Sequence, residues 1–435
     1  MDGLFLGLLT LGLLLGLLGA GLWIFVALMV VGCAVLLVGL GFPLDRTGNI
    51  LKSIMWRSAS SWEIAAIPMF LLMGELIYRA EISARIFRGL APFVERLPGR
   101  LLHVNVAGST LFAAVSGSSA ATTATIGRIT INALEQRGYD RSLAIGSLAG
   151  AGSLGLLIPP SIVMILYGVL AEVSIARLFA AGLIPGLMVA ALYSAWIAGV
   201  SLVRPGVAPP LAERHQGRDY LRATIDLLPI LFLIVLVLGS IYSGRVTPSE
   251  AAAMGVVATL IIVALLGRFS FRLLLDCLIG TVVLSAMICS ILVAAAFLST
   301  AIAYAGLPQT LARSIATLEL SPYTLILILA LFYLILGLFL DGISITVMSL
   351  PVTLPLAMQA GWDPIWFGIF LVIMVEMAQI TPPVGFNLFV LQGLTGWSLN
   401  RIAMAALPFF LLLCLALLLV VIFPSIVLWL PDTIW

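Results

Sequence analysis

Apolar segments long enough to cross a lipid bilayer recur along almost the whole chain. A membrane-spanning helix needs about 20 mostly apolar residues. Of the 435 residues, 62% are hydrophobic and only 9% are charged, whereas a soluble domain carries about 25% charged residues. The sequence therefore predicts an all-α polytopic membrane protein with a single membrane domain over residues 1–435. The predicted spans are 4–18, 21–41, 62–79, 142–171, 175–202, 223–242, 248–267, 273–304, 364–396 and 402–430.

Two further apolar stretches, 101–137 and 321–360, carry small or polar residues in the middle. A backbone turn inside the bilayer is tolerated only where it is buried in protein or lines a wet cavity. We expect both stretches to form re-entrant helical hairpins. Each is followed by a predicted broken helix, at 142–171 and at 364–396.

Charge and motif content exclude several classes of function. The net charge of +2 is too small to suggest a nucleic-acid partner. Lys52, the only lysine, follows Leu51 and not the glycine of a GxxxxGK phosphate loop. The four cysteines have no CxxC spacing, and neither histidine belongs to an HExxH motif. We expect no transition metal and no organic cofactor, so uphill transport would draw on an ion gradient or on another subunit.

Arginine-rich loops orient the chain, because positive charge is retained preferentially in the cytoplasm. Three basic regions, 79–100, 204–222 and 268–272, all lie in the cytoplasm in one membrane topology. This topology places the N-terminus in the periplasm. The first hairpin then enters from the cytoplasm and the second from outside. One loop, 43–61, carries three basic residues and falls outside against the rule.

The two halves of the chain are related in sequence. Pro-Pro pairs at 159–160 and 382–383 lie 223 residues apart, and two further short matches keep the same spacing. The predicted topology gives the two halves opposite orientations, so the repeated motifs predict inverted repeats. In secondary transporters, such repeats place the binding site at their interface. The first half covers 1–203, a cytoplasmic linker covers 204–222, and the second half covers 223–435.

The tip of the first hairpin is a run of small polar residues from Ser116 to Thr123. Glycine allows a sharp backbone turn, and Ser or Thr hydroxyls can satisfy freed backbone groups. The run is therefore a candidate site. Small residues also permit close helix packing in membranes, which is the alternative interpretation.

Each broken helix contains one of the Pro-Pro pairs. Two prolines remove two N–H donors and break the helix, and the carbonyls freed at such breaks are the usual ligands for Na⁺ in broken-helix transporters. A simple kink needs only one proline. The repetition of the pair indicates two ion sites, one within Gly152 to Ser161 and one within Thr381 to Asn387.

Acidic residues inside apolar sequence are functional-site hypotheses. Asp341, at the tip of the second hairpin, is a candidate Na⁺ ligand, helix cap or proton carrier. Glu376 lies five residues before Thr381 and could support the second ion site or pair with an arginine. Glu75 is expected to form a salt bridge with Arg79, one helical turn later.

Two basic side chains raise further hypotheses. Arg128, on the returning arm of the first hairpin, could form a bidentate contact with a carboxylate, or it could extend to the membrane interface. His103 together with Ser118 raises a remote alternative, an intramembrane hydrolase. No GxSG element follows Ser118, and the spacing supports no pairing.

A set of motifs is spread over nearly the whole chain: Ser116–Ser119, Gly138–Asp140, Ile158–Ser161, Leu178–Gly186, Gly361–Pro364 and Thr381–Phe389. Together they resemble the large membrane subunit (DctM/SiaM type) of tripartite ATP-independent periplasmic (TRAP) transporters. The resemblance implies an elevator-type carrier with a scaffold and a mobile transport domain, which is built from the two hairpins and the two broken helices. It implies Na⁺-driven import of an organic acid across the bacterial inner membrane. It also implies two partners, a small four-helix membrane subunit and a soluble periplasmic substrate-binding protein.

Carried over by motif, the resemblance implies two Na⁺ sites and a nearby substrate site. The sequence departs from the family at two positions: many members carry Asp in place of Thr122 and a small residue in place of Arg128. The implied Na⁺ ligands are Ser116, Gly155, Ile158 and Pro160 in the first site and Asp341, Gly342, Thr381 and Pro383 in the second, and the substrate candidates are Ser118, Ser119, Arg128 and Asn387.

Two alternatives to Na⁺ symport stay open at this point. One is a proton-coupled or binding-protein-independent anion carrier that uses Asp341 or Glu376 for protons. The other, from a different class, is the intramembrane hydrolase. The identity of the organic acid stays open as well, with C4-dicarboxylates, sialic acids and other sugar acids among the candidates.

Overall fold

The computed structural model describes residues 3–210, 216–307, 310, 321–383 and 385–435, and this part of the chain contains helices and no strand. A short π-helical segment, Val35–Gly39, extends the second helix. The helices are α1 Gly3–Gly19, α2 Ile24–Ala34, α3 Leu44–Ala59, α4 Ala66–Arg79, α5 Ser83–Val94, α6 Leu102–Ser116, α7 Ser119–Gln136, α8 Arg141–Leu157, α9 Ile162–Leu170, α10 Ile175–Val203, α11 Gly217–Tyr242, α12 Pro248–Leu265, α13 Phe271–Tyr304, α14 Pro322–Gly337, α15 Gly342–Gln359, α16 Pro364–Gln379, α17 Phe386–Thr395, α18 Leu399–Ile422 and α19 Ser425–Ile434.

Within the described ranges, seven helices are long and apolar enough to cross a membrane, and a bent pair of helices could supply an eighth span. The bent pair joins α3 to the segment Trp62–Arg79 at an angle of 51°. The prediction of an all-α polytopic membrane fold is confirmed. Both expected hairpins are present, as α6–α7 and α14–α15, and both expected broken helices are present, as α8–α9 and α16–α17.

The structure corrects the sequence prediction at two segments. Residues 43–61 were expected to form a loop, but most of them form α3, an amphipathic helix with Asp45 in its first turn and Arg57 in its last. Such a helix has spaced apolar residues and no continuous apolar run, so a search for spans misses it. The predicted span 402–430 is two helices, because α18 ends at Ile422 and α19 begins just after Pro424.

The structural elements repeat with the 223-residue spacing of the motifs. Ser118 caps the N-terminus of α7 and Asp341 caps that of α15. Asp140 and Asp363 likewise cap α8 and α16. The two repeats also interlock, because α7 packs against α17 and α15 packs against α9. The exact division into halves at residues 203 and 223 stays a prediction, and residues 211–215 of the proposed linker lie outside the described part.

The first segments of the two broken helices form the centre of the molecule. Every residue of α8 from Ala144 onward is buried, and so is every residue of α16 after Pro364. In contrast, only 33% of the apolar window is buried in α11, α13 and α18. The outer helices therefore present apolar surface to the lipid, while the broken helices are enclosed by protein.

Glycines let the central helix α8 approach its neighbours closely. A Cβ atom placed on Gly146 would lie 2.1 Å from the carbonyl oxygen of Ala405 in α18. A Cβ atom on Gly150 would lie 2.6 Å from the Cβ atom of Phe409. The α8–α18 interface is therefore formed in part by the main chain.

This interface predicts the effect of adding one methyl group. Gly146→Ala should destabilise the protein by about 1–3 kcal/mol, because the methyl group overlaps the Ala405 backbone. Gly199→Ala is the matched control, since its Cβ has no neighbour within 4 Å and alanine favours a helix over glycine. Thermal unfolding in detergent should show a lower Tm for the first variant and an equal or higher Tm for the second. Equal Tm values for Gly146→Ala and the parent would contradict the close approach.

Candidate functional site

The turn of the first hairpin consists of only two residues, Gly117 and Ser118. Gly117 ends α6 with φ of 61°, a left-handed conformation that favours glycine. Ser118 then caps α7 by accepting a hydrogen bond from the Ala121 N–H at 3.4 Å. Thr122 Oγ1 donates to the Ser118 carbonyl at 2.7 Å and lies 3.0 Å from Ser116 Oγ. The tip is thus a compact cluster of hydroxyl and carbonyl oxygens.

This tip rests directly on the first helix break. The Ile162 N–H donates to the Gly117 carbonyl at 3.4 Å. A Cβ atom on Gly117 would lie 2.8 Å from the Pro160 carbonyl oxygen, and one on Gly155 would lie 2.6 Å from that of Ser118. The contact is therefore made between two main chains. It is also enclosed, because all residues from 144 to 168 are buried.

The first predicted ion site is brought together in space. Gly155 and Pro160 lie against the tip, and Ile158 lies between them with its side chain against Gly186 of α10. Pro159 has no N–H, so the Gly155 carbonyl lacks the partner it would have in a continuous helix. Freed carbonyls and hydroxyls are the oxygen donors that Na⁺ sites in broken-helix transporters use. The residues present therefore fit a Na⁺ ion.

The second hairpin has a different tip. Asp341 caps α15, accepting hydrogen bonds from the Ile343 N–H at 3.2 Å and from the Ser344 hydroxyl. The cap, one of its three predicted roles, is therefore present. A Cβ atom on Gly342 would lie 2.4 Å from Val375 Cγ1 and 3.3 Å from Gln379 Nε2. The tip thus packs beside the last turn of α16.

The other predicted ligands of the second ion site, Thr381 and Pro383, follow the end of α16. Thr381 Oγ1 donates to the Met377 carbonyl at 2.6 Å, and the Gly385 N–H donates to the Thr381 carbonyl at 3.0 Å. The site is more open than the first, because Pro382 and Pro383 are exposed. The two Pro-Pro bonds, 159–160 and 382–383, are both cis.

The structure separates the four candidate substrate residues. Ser118 and Ser119 lie at the first tip. Asn387, in the first turn of α17, is fully buried, and neither atom of its amide group has a hydrogen-bond partner. Arg128 lies nine residues further along α7 than Ser119, about 13 Å along the helix. It is exposed, and its guanidinium carbon lies 5.7 Å from the centre of the Tyr78 ring.

Two further buried polar residues lie beside the tips, and the first of them was not singled out in the sequence. Gln379 lies beside Gly342 at the second tip, and its Oε1 atom has no partner. Thr123 faces Gly152 of α8, and its hydroxyl also has no partner. Their positions relative to the two motifs offered a signal, because Gln379 precedes Thr381 by two residues and Thr123 ends the small polar run of the first tip.

Other predicted residues serve local structure. Arg79 Nε donates to Glu75 Oε2 at 2.6 Å, which confirms the predicted salt bridge. His103 Nε2 lies 2.6 Å from the Pro98 carbonyl oxygen, at the start of α6. Ser118 follows the opposite end of that helix, about 22 Å away along its axis. The two residues form no hydrolase dyad. No cluster of three His, Cys, Asp or Glu side chains suited to a metal occurs among the described residues.

This fold and this site define a membrane transport protein: two hairpins close on two broken helices, whose freed carbonyls lie inside an apolar bundle. The family model described as "Tripartite ATP-independent periplasmic transporter, DctM component" matches residues 11–426. The chain belongs to this family.

Individual relatives agree with this assignment. The chain is 35% identical to the C4-dicarboxylate TRAP transporter large permease protein DctM of Pseudomonas aeruginosa, over 87% of this chain and 88% of that protein. It is 30% identical to the sialic acid TRAP transporter large permease protein SiaM of Vibrio cholerae, over 96% of each. The fold is similar to that of the YdaH transporter of Alcanivorax borkumensis, with a TM-score of 0.62 at 14% identity over 88% of this chain and 90% of that one.

The contact between the first tip and the first break can be tested directly. Gly155→Ala should lower the uptake rate by about tenfold, because the added methyl group displaces the Ser118 backbone at a cost near 1.4 kcal/mol. Gly393→Ala, in α17, is the control, since nothing lies within 4 Å of its Cβ. Initial uptake rates, normalised to the protein inserted, compare the two. Parent-like uptake by Gly155→Ala would show that this contact has no role in transport.

Proposed function

We propose that the chain imports an organic acid across the bacterial inner membrane by Na⁺ symport. The observation that carries the proposal is the seating of a hairpin tip against each broken helix, which gathers oxygen donors within an apolar bundle. Two relatives are named as transporters of C4-dicarboxylate and of sialic acid. Both are organic acids, so a carboxylate is the substrate class proposed here.

Coupling follows from the two tips. At the first site, Na⁺ would be held by backbone carbonyls of Ser116, Gly155, Ile158 and Pro160, and at the second by Asp341, Gly342, Thr381 and Pro383. An ion that bridges a tip and a break stabilises the closed arrangement of both. If the substrate binds that same arrangement, Na⁺ and substrate each strengthen the binding of the other, as linkage requires.

We propose an elevator movement for alternating access. The first hairpin tip and α8 are joined by main-chain contacts, and α8 and α16 are enclosed in protein, so the hairpins and broken helices are suited to move as one transport domain. The outer helices α11, α12 and α13 contact lipid over much of their surface and are suited to act as the scaffold. Substrate would bind near Ser118, Ser119 and Asn387, between the tips.

We propose two partners on the basis of the family, a small four-helix membrane subunit and a soluble periplasmic binding protein that delivers the substrate. We propose a periplasmic N-terminus as well, which the arginine distribution supports. A proton-coupled carrier is the second candidate, and one observation favours it: Glu376 is fully buried with no hydrogen-bond partner for its carboxyl oxygens.

Reconstitution tests the proposal. Proteoliposomes that contain the chain, its small subunit and the cognate binding protein should take up a labelled organic acid only under an inward Na⁺ gradient. The reason is that the ion sites must fill before the tips close around substrate. Equal uptake under a proton gradient without Na⁺, or uptake without the binding protein, would contradict the proposal and favour the second candidate.

Variants at the breaks test the ion sites. Thr381→Val removes a hydroxyl oxygen, and Pro160→Ala restores an N–H that can occupy a freed carbonyl. Each should raise the half-activating Na⁺ concentration by about tenfold, equivalent to about 1.4 kcal/mol of ion binding. Thr259→Val is the control, because the Thr259 hydroxyl also bonds a carbonyl in its own helix but lies in α12. Unchanged Na⁺ activation in both break variants would refute these sites.

A further inference from the structure

One acidic side chain lies at the centre of the bundle, next to Val375, whose side chain packs against the second tip. Glu376, on α16, is fully buried. Neither of its carboxyl oxygens has a hydrogen-bond partner, and no ion pair is recorded for it in the described part of the chain. A charged carboxylate is costly to bury without a partner, and an acid at membrane depth is a functional-site hypothesis. The group therefore needs a cation or a proton.

A tyrosine hydroxyl and a backbone N–H lie near this carboxyl group. Tyr193, on α10, is fully buried, its hydroxyl has no hydrogen-bond partner, and it lies near both Glu376 and Ser153. The Ser153 hydroxyl donates to the Gly150 carbonyl at 2.8 Å, which leaves its lone pairs available. The Leu157 N–H lies close to the carboxyl group without forming a bond of good geometry.

The repeat places this cluster near the symmetry axis. Ser153 and Glu376 are 223 residues apart, the spacing that relates the two halves. They occupy equivalent positions in α8 and α16, and these two helices pack against each other. Helices that are related by the repeat and pack against each other lie beside the axis that relates the repeats. The cluster contains none of the residues assigned to the two ion sites, and it has an acid in one repeat where the other has a hydroxyl.

We propose that Glu376, Tyr193 and Ser153 form a further cation site, which takes a monovalent cation, either Na⁺ or a proton, during transport. The inference rests on the proposed function, which it extends by one coupling site. A proton would neutralise the carboxyl group, and Na⁺ would use its oxygens together with the two hydroxyls. The other titratable group recorded at the cluster is Cys414 of α18, which lies near Tyr193.

The test is Glu376→Gln in the complete transporter, reconstituted with its small subunit and binding protein. Glutamine keeps the shape and removes the charge. Initial uptake is measured against Na⁺ concentration at several pH values. If the site takes Na⁺, the Na⁺ activation curve of the variant becomes less steep. If it takes a proton, that curve keeps its steepness and the pH dependence of uptake flattens. A variant identical to the parent in both measurements would overturn the site.

A second variant covers the case in which Glu376→Gln does not assemble. Tyr193→Phe removes one ligand oxygen and keeps the ring, which packs against Phe409 with centroids 5.3 Å apart. It should raise the half-activating concentration of the cation severalfold, or shift the pH profile of uptake. Its Tm should differ from that of the parent by no more than the Tm of the Thr259→Val control does. An unchanged concentration and an unchanged pH profile would overturn the site.

The outcome for the parent separates the two proposals. Uptake by the parent that depends on neither a Na⁺ nor a proton gradient would refute the proposed function itself. Gradient-driven uptake by the parent, together with parent-like behaviour of both variants, would refute only the cation site at Glu376.

Discussion

A peptide carbonyl without a hydrogen-bond partner is costly in an apolar interior, and the molecule is organised around two places where prolines create such carbonyls. Each break follows a helix segment that is enclosed by protein, α8 in the first repeat and α16 in the second. The hairpins bring polar tips to these breaks from the side. The first tip does so with main-chain groups and hydroxyls, since Gly117 accepts from Ile162 and Ser118 lies against Gly155. The rest of the fold holds the tips in place, because α7 and α15 each pack on the broken helix of the opposite repeat.

The two repeats use this arrangement unequally. The first break is covered completely, whereas Pro382 and Pro383 of the second are exposed. The caps of the returning arms differ as well, with a serine at 118 and an aspartate at 341. The second repeat therefore has both the more accessible break and the charged tip. An inverted repeat of equal folds thus provides two chemically different sites, one neutral and enclosed and one acidic and open.

Much of this organisation could be predicted from the sequence. The hairpins and broken helices follow from polar tips and Pro-Pro pairs in apolar sequence, and the observed helices begin within a few residues of the predicted ones. The amphipathic helix α3 was missed because its apolar residues are spaced and not continuous. The exposure of Arg128 agrees with the interpretation in which it extends to the membrane interface, but the pairing of the second tip with Gln379 and the burial of Asn387 were out of reach. These depend on helix rotation and on the packing of segments far apart in the chain.

The glycines of α8 have a consequence for stiffness. A Cβ atom on Gly155 would lie 2.6 Å from the Ser118 carbonyl oxygen, and one on Gly146 would lie 2.1 Å from the Ala405 carbonyl oxygen. Side chains can absorb small displacements by changing rotamer, whereas main-chain atoms cannot. At these two glycines, α8 lies directly on the main chain of the first tip and on that of α18, so a displacement of the tip displaces α8 and α18 with it.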